Sequence, residues 1–317
     1  MSEETQKTSL PPPPPGVPAD YKQADGPNPE QLKMYEKVLN HFSQPEYTLP
    51  GVEDGQLIDK EKLWLSQDCI LRFIRATKWA SEDVAIKRLE DTLKWRREFG
   101  VYDALSAELV EPEAVTGKMV LFGYDKERRP GIYMIPSRQN TDEPTRQVQF
   151  TAWMLERAVD SMGPGVEKLD LLIDFAEKAK NPSLGVARTV LNILQSHYPE
   201  RLGLALIINI PWVVTLFLKA MMPFVDPVTR VKVKINPKAI EDGIFEPDMI
   251  FARSWGGTVQ FEYDHEQYWP ALVGMCDARR EEQMAAWKEL GGTVGLNEWE
   301  IKGESSPVIT DAETAAA

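Results

Sequence analysis

Residues 197–235 read HYPERLGLALIINIPWVVTLFLKAMMPFVDPVTRVKVKI and set three chemistries side by side. A polar corner, His197 to Arg201, precedes the uncharged run Leu204 to Ile210, whose unbroken apolar character is that of a buried strand. Trp212 to Met222 carries one charge, Lys219, and lies between Pro211 and Pro223. Prolines bound helices rather than sit inside them, so this segment reads as a short helix, apolar on every side and too short to span a bilayer. The closing run Arg230 to Ile235 alternates strictly and, as a strand, would show three cations on one face and three aliphatics on the other. A greasy helix beside a cationic strand suits an amphiphile with an anionic head.

The rest of the chain sets bounds on that reading. Its 317 residues make room for one large domain or two small ones. A net charge of -13 argues against a general nucleic-acid binder or a polybasic membrane binder, both of which need a long-range positive field, so any anion site must be local. The two cysteines, Cys69 and Cys276, form no disulfide or metal pattern, which fits a reducing cytosol. The start, MSEETQKTSLPPPPPG, lacks the apolar core of a secretory signal, and no later run reaches the roughly 18 apolar residues of a spanning helix. The expectation is a soluble, cytoplasmic protein.

Residues 1–27, with the proline run Pro11 to Pro15, read as a disordered tail. Residues 28–100 read as a helical module with helices over Glu30 to Phe42, Lys60 to Thr77 and Ser81 to Phe99, the last opened by a serine cap with two acids and closed by Gly100. From residue 101 to 300 short apolar runs alternate with helical segments: Met119 to Tyr124, Gly131 to Ile135, a helix Arg146 to Ser161, Leu169 to Phe175, a helix Leu184 to Ser196, and the stretch quoted above. This alternation predicts an α/β fold with a mainly parallel sheet and crossover helices. Thr258 to Phe261 reads as a further strand, Glu266 to Leu290 as a final amphipathic helix, and residues 301–317 as a flexible tail.

An α/β architecture invites a search for catalysis, and none of its signatures occurs: no GxSxG elbow, no phosphate-binding GxxxxGK, no GxGxxG fingerprint. His41, His197 and His265 are not spaced as metal ligands. No enzyme, metal or cofactor is therefore expected. Haem ligation by His197 or Tyr198 is the thin alternative.

Several stretches in register carry a resemblance: LRFIRATKW at 71–79, WRREFG at 95–100, YPERLG at 198–203, DPVT at 226–229, and Gly256-Gly257. Over about residues 60 to 270 the chain resembles the CRAL-TRIO lipid-binding proteins, and within them the fungal phosphatidylinositol transfer proteins of the branch tied to sterol balance and azole tolerance. The resemblance implies a helical N-terminal module, a sheet floor beneath one deep apolar pocket, and a mobile gate helix over its mouth. Residues Trp212, Leu216, Phe217, Met221 and Phe224 fall on the gate. The inositol headgroup role falls on Lys78, Glu200, Arg201, Thr229 and Lys232: two lysines and a threonine hydroxyl for the phosphodiester, Glu200 for inositol hydroxyls, and Arg201 to orient Glu200. The plainer alternative makes Glu200 and Lys232 a buried ion pair joining two strands.

Two departures from the family sharpen the ligand. Thr77-Lys78 stands where the founding members have two cations. The hydroxyls of the family's phosphatidylcholine site are replaced by Leu169 and Leu171, and a tyrosine of the preceding strand by Ile132. Leucines remove the donors a zwitterionic head needs and leave an apolar wall, which implies little or no phosphatidylcholine binding and room for a flat sterol as a second ligand. The resulting expectation is a monomeric carrier of phosphatidylinositol that touches membrane surfaces transiently, at lipid droplets, the endoplasmic reticulum or the cell periphery, and binds no nucleic acid. The alternative is a lipid- or haem-sensing adaptor that recruits partners through its proline run.

Overall fold

The structure, a computed structural model, describes residues 6–19, 21, 26–177, 184–221, 223, 225 and 227–303. A short strand β1 (Gln6–Thr8) leads into four helices, α1 (Pro29–Phe42), α2 (Asp59–Trp64), α3 (Gln67–Ala76) and α4 (Glu82–Glu98). After α5 (Ala107–Ala114) come β2 (Met119–Tyr124), β3 (Pro130–Met134), α6 (Pro144–Asp160), β4 (Leu169–Asp174), α7 (Leu184–His197), β5 (Leu202–Ile208), α8 (Trp212–Met221), α9 (Pro227–Arg230) and β6 (Val233–Ile235). The chain then runs through α10 (Ala252–Trp255), β7 (Val259–Phe261), α11 (His265–Glu289) and α12 (Glu298–Lys302).

Local chemistry starts these helices. Asn28 accepts from the backbone of Glu30 and Gln31 while the Gln31 side chain returns to the Asn28 N–H, a reciprocal cap on α1. Ser66, Ser81 and Ser106 cap α3, α4 and α5 one way only, each hydroxyl accepting from the backbone N–H three residues on. The expected single helix from Lys60 to Thr77 is broken at Leu65 and Ser66, because the Ser66 hydroxyl is needed twice: it accepts from Cys69 N and donates to Glu298, 2.7 Å away. Val38, Leu65, Ile70, Ile74, Leu89 and Leu93, all fully buried, form the heart of the module's own core.

Five strands make the main sheet in the order β2-β3-β4-β5-β6, parallel except for the antiparallel pair β2-β3. Edge strand β2 is not left open, since the Tyr268 hydroxyl donates to Leu121 O and accepts from Leu121 N. A bulge in the β2-β3 pairing bends the strand at Gly123, where φ is +68° and any Cβ would lie 2.0 Å from Met249 O.

Register explains how the sheet can serve as a floor. Leu121, Ile132, Leu171, Ala205 and Val233 align across all five strands, and so do Met119, Met134, Ile173, Ile207 and Ile235 two residues on. Because side chains alternate along a strand, these two rows share one face, which is therefore wholly apolar along both. On the opposite face Tyr133 stacks on Phe251 at 3.8 Å and Phe122 meets Phe251 and Phe261, so the segment from α10 to β7 closes that side.

Two expectations about the ends and the edge strand are corrected. β1 pairs in parallel with β7, Pro11, Pro12, Pro14 and Pro15 are half-buried, and Tyr21 stacks on Trp299 with the Arg128 guanidinium 4.5 Å from its ring. Residues 6–19 and 21 thus strap the domain instead of forming a disordered tail; tertiary partners supply what the segment lacks alone. The run Arg230 to Ile235 is also not one strand. Residues 227–230 are a helical turn opened by Pro227, Arg230 donates to Val225 O and Pro223 O, and pairing begins only at Val233. Residues 304–317 lie outside the described residues.

Candidate functional site

The polar groups singled out in the sequence fall mainly on one edge of the sheet, where β4, β5 and β6 begin. Parallel strands start at the same edge, so the residues just before each are gathered there: Glu167 before β4, Glu200 before β5, Thr229 and Lys232 before β6. The C-terminal turn of α3 faces them. Arg75 donates Nε to Glu200 at 2.9 Å and Nη2 to both oxygens of Glu167 at 2.8 and 3.0 Å, while buried Arg72 adds a third bond to Glu167 at 3.0 Å. Burial works to raise the Glu167 carboxyl, but Arg72 and Arg75 outweigh it and hold that carboxyl below its ordinary value.

Glu200 sits at φ +58°, a left-handed conformation that non-glycine residues adopt only where the surroundings demand it. Lys232 donates Nζ to Leu202 O at 2.7 Å, two residues along from Glu200, and its N–H bonds Thr229 O, so Thr229, Lys232 and Glu200 share one neighbourhood. Lys78 lies three residues past Arg75, exposed and at φ +55°, on the turn that ends α3.

Arg201 is a correction. Its side chain does not bond Glu200: it is 8% exposed and donates Nη1 to Glu167 O at 2.9 Å and to the Met162 sulfur at 3.6 Å. The group that holds Glu200 is Arg75, which was quoted within a motif but given no role. The signal was present in the three-residue spacing of Arg72 and Arg75, which puts two cations on one face of α3. Glu167 carried no such signal.

The apolar residues separate by register. Ile132 and Leu171 stand side by side on the apolar face, and Leu169 is two residues along the same strand; Ile132 and Leu169 are buried and Leu171 half-buried. At the carboxyl end of β5 the chain enters α8, which turns Val214 inward and leaves Trp212 75% and Leu216 56% exposed. Val231 at 80% and Ile235 at 53% extend the exposed apolar surface of the same stretch. The side chains of Phe217 and Met221, and the whole of Phe224, lie outside the described residues.

Haem ligation loses its residues to packing. His197 stacks face to face on Trp95 at 4.3 Å, with Nδ1 on Thr92, and the Tyr198 hydroxyl donates to Glu156. Among the described residues no cluster of three or more His, Cys, Asp or Glu could hold a metal, and no helix is long and apolar enough to cross a membrane.

Comparison with known proteins adds independent findings. The CRAL/TRIO domain profile matches residues 114–249 and the CRAL/TRIO N-terminal domain profile residues 34–91. The chain is 40% identical over 298 residues to the phosphatidylinositol transfer protein PDR17 of Saccharomyces cerevisiae, covering 87% of this chain and 84% of that one. It is 45% identical over 280 residues to a CRAL-TRIO domain-containing protein of Schizosaccharomyces pombe, covering 86% of this chain but only 27% of that longer relative. The crystal structure of Sfh5 superposes with a TM-score of 0.54 at 14% identity, covering 77% of this chain and 93% of the other, and so supports the fold.

Proposed function

The chain belongs to the CRAL-TRIO family, and on that premise we propose that it binds phosphatidylinositol and moves it between membranes. The family is one of lipid carriers rather than enzymes. The observation that carries the reading is the sheet face built of two apolar rows, bounded at its amino-terminal edge by Arg75, Glu200, Thr229 and Lys232.

An extracted lipid exposes acyl methylenes at about 0.8 kcal/mol each, on the order of 20 kcal/mol for a two-chain lipid, so the protein must replace nearly all of that contact. A broad apolar floor with a cover is what this demands. In this reading Lys232 and Lys78 meet the phosphodiester, Thr229 donates to it, and Glu200, held by Arg75, accepts from inositol hydroxyls. The exposed apolar surface of α8, Val231 and Ile235 rests on the membrane while the lipid passes, and so the protein works as a peripheral cytoplasmic carrier despite its acidic charge. Ile132, Leu169 and Leu171 offer no hydroxyl to a choline headgroup, which supports weak phosphatidylcholine binding and sterol as a second ligand, as in a sterol-linked branch of the family. The adaptor alternative is less well supported, because most of the proline run packs against the domain.

Mass spectrometry of lipid retained on the purified protein, with vesicle-to-vesicle transfer of labelled phosphatidylinositol, tests this. Bound phosphatidylinositol and saturable transfer are expected. A protein that retains no lipid and transfers none would sink the proposal and favour an adaptor.

A further inference from the structure

A cavity of about 860 Å³ lies away from the apolar sheet face, walled by the helical module (Trp64, Arg96), by α6 (Arg157), and by α11 and α12 (Gln283, Lys302), with Arg201 in its lining. Its volume is that of a small-molecule site. What marks it is a set of side-chain donors in its lining that have no protein acceptor among the described residues. Arg201 carries five N–H groups, and among the described residues only Nη1 is used, on Glu167 O and the Met162 sulfur. It forms no ion pair among the described residues.

Acids line the cavity too: Glu298 is engaged by Ser66 and Lys302, Glu156 by Arg96 and Tyr198, and Asp160 by Arg157 and Arg280, with Asp103, Glu108, Asp277 and Glu281 also in the lining, while Glu167 beyond it is held by Arg72 and Arg75. Burial, then the neighbouring Arg72, lowers the Arg201 pKa to about 10, as expected of a guanidinium short of counter-charge. Arg157, also 8% exposed, gives Nε to Asp160, while its terminal nitrogens donate to nothing among the described residues. The amide Nε2 of Gln283 is buried without a partner. Donors of three side chains on two sides of one cavity thus lack protein acceptors, and the fully buried one, Gln283 Nε2, costs about 1–3 kcal/mol so left.

We propose that this cavity is a binding site for a small oxyanion of the phosphate class, held by the guanidinium groups of Arg201 and Arg157 and the amide of Gln283. A tetrahedral oxyanion supplies acceptors in several directions at once and neutralises a buried arginine that bonds no carboxylate among the described residues. The cavity exceeds inorganic phosphate in size, so a phosphorylated small molecule fits the same donors. Glu200 and Arg201 then serve two sites from adjacent positions, one at the sheet edge and one between the module and the lipid-binding domain.

Isothermal titration of the full chain with inorganic phosphate, against sodium chloride at matched ionic strength, is expected to show one saturable site. Gln283→Leu removes an orphaned donor without touching an ion pair and should weaken phosphate roughly tenfold; Arg201→Lys keeps the charge, loses the fork, and should weaken it by about tenfold or more. If the arginine variant does not fold, the glutamine variant still decides. Phosphate should bind equally well to protein preloaded from phosphatidylinositol vesicles. Absence of saturable binding, unchanged affinity in both variants, or displacement of phosphate by the lipid would each overturn the proposal, the last by showing that the anion is the lipid's own headgroup.

Discussion

Arg75 reaches 2.9 Å to Glu200, tying the last turn of α3 to the corner from which β5 departs. Each side chain is 34% exposed, so the pair contributes no more than ~1 kcal/mol to stability. Its value lies in holding the Glu200 carboxylate in place. Arg75→Met also removes the two bonds to Glu167, so it is expected to lower unfolding free energy by about 1–2 kcal/mol while lowering phosphatidylinositol transfer severalfold. Equal transfer by mutant and parent would remove Arg75 from the site.

Leu169 and Leu171 set the polarity of the floor. Leu169→Ser combined with Leu171→Thr restores hydroxyls on one face and should raise phosphatidylcholine transfer from a low baseline. Because Leu169 is 2% exposed, the double variant should also lose stability on the scale of a buried leucine truncation, about 2–5 kcal/mol. Denaturant titration and transfer assays read the two effects separately, and a folded double variant still inert toward phosphatidylcholine would refute the wall assignment.

The exposed surface of α8 makes the opposite prediction, function without stability. Trp212 is 75% exposed, so Trp212→Asp should leave the unfolding free energy within about 0.5 kcal/mol of the parent. Co-sedimentation with vesicles should fall sharply. Unchanged vesicle binding would mean that this face does not dock.

Asp170 provides a pH signature. It is fully buried, Oδ1 accepts from Leu204 N at 2.7 Å, and burial together with the neighbouring Asp125 pushes its carboxyl from 3.8 up to about 8. The folded state thus holds a proton that the unfolded chain releases near pH 4, and the stability this confers is lost as pH rises from there through about 8. Asp170→Asn should flatten that decline and stabilise the protein at pH 8 and above, as followed by thermal unfolding across pH.

His197 acts at the other end of the scale. Burial, then Arg88, lowers its pKa from 6.5 to about 4, so the folded state keeps it neutral on Trp95. The unfolded chain protonates below pH 6.5, and stability should fall as pH drops from there towards 4. His197→Phe keeps a ring for the stack and should flatten this acid limb; an unaltered limb would assign the acid sensitivity to other groups.

Much of the fold was legible in the residues because periodicity is local. The alternation of short apolar runs with capped helices fixed the order of elements from Met119 to Ile208, and the motifs around Trp79, Tyr198 and Gly256 marked the family. The side on which Ile132 and Leu171 meet follows from period two once the strands pair. Other features have no local signature. Arg75 finds Glu200 across 125 residues, Gln6 to Thr8 become a strand only because β7 offers an edge, and Arg230 leaves its alternating pattern for a turn that Pro227 opens. Glu200 and Arg201, consecutive and both charged, looked like one site; a left-handed backbone at Glu200 and the packing of Arg201 beside Met162 put them in two. The sequence by itself determined which faces are apolar and where elements begin, since those depend on residues a few positions apart. The tertiary structure alone decided which charges meet, because a guanidinium's partner is chosen by the burial and geometry of chain segments that the fold brings together.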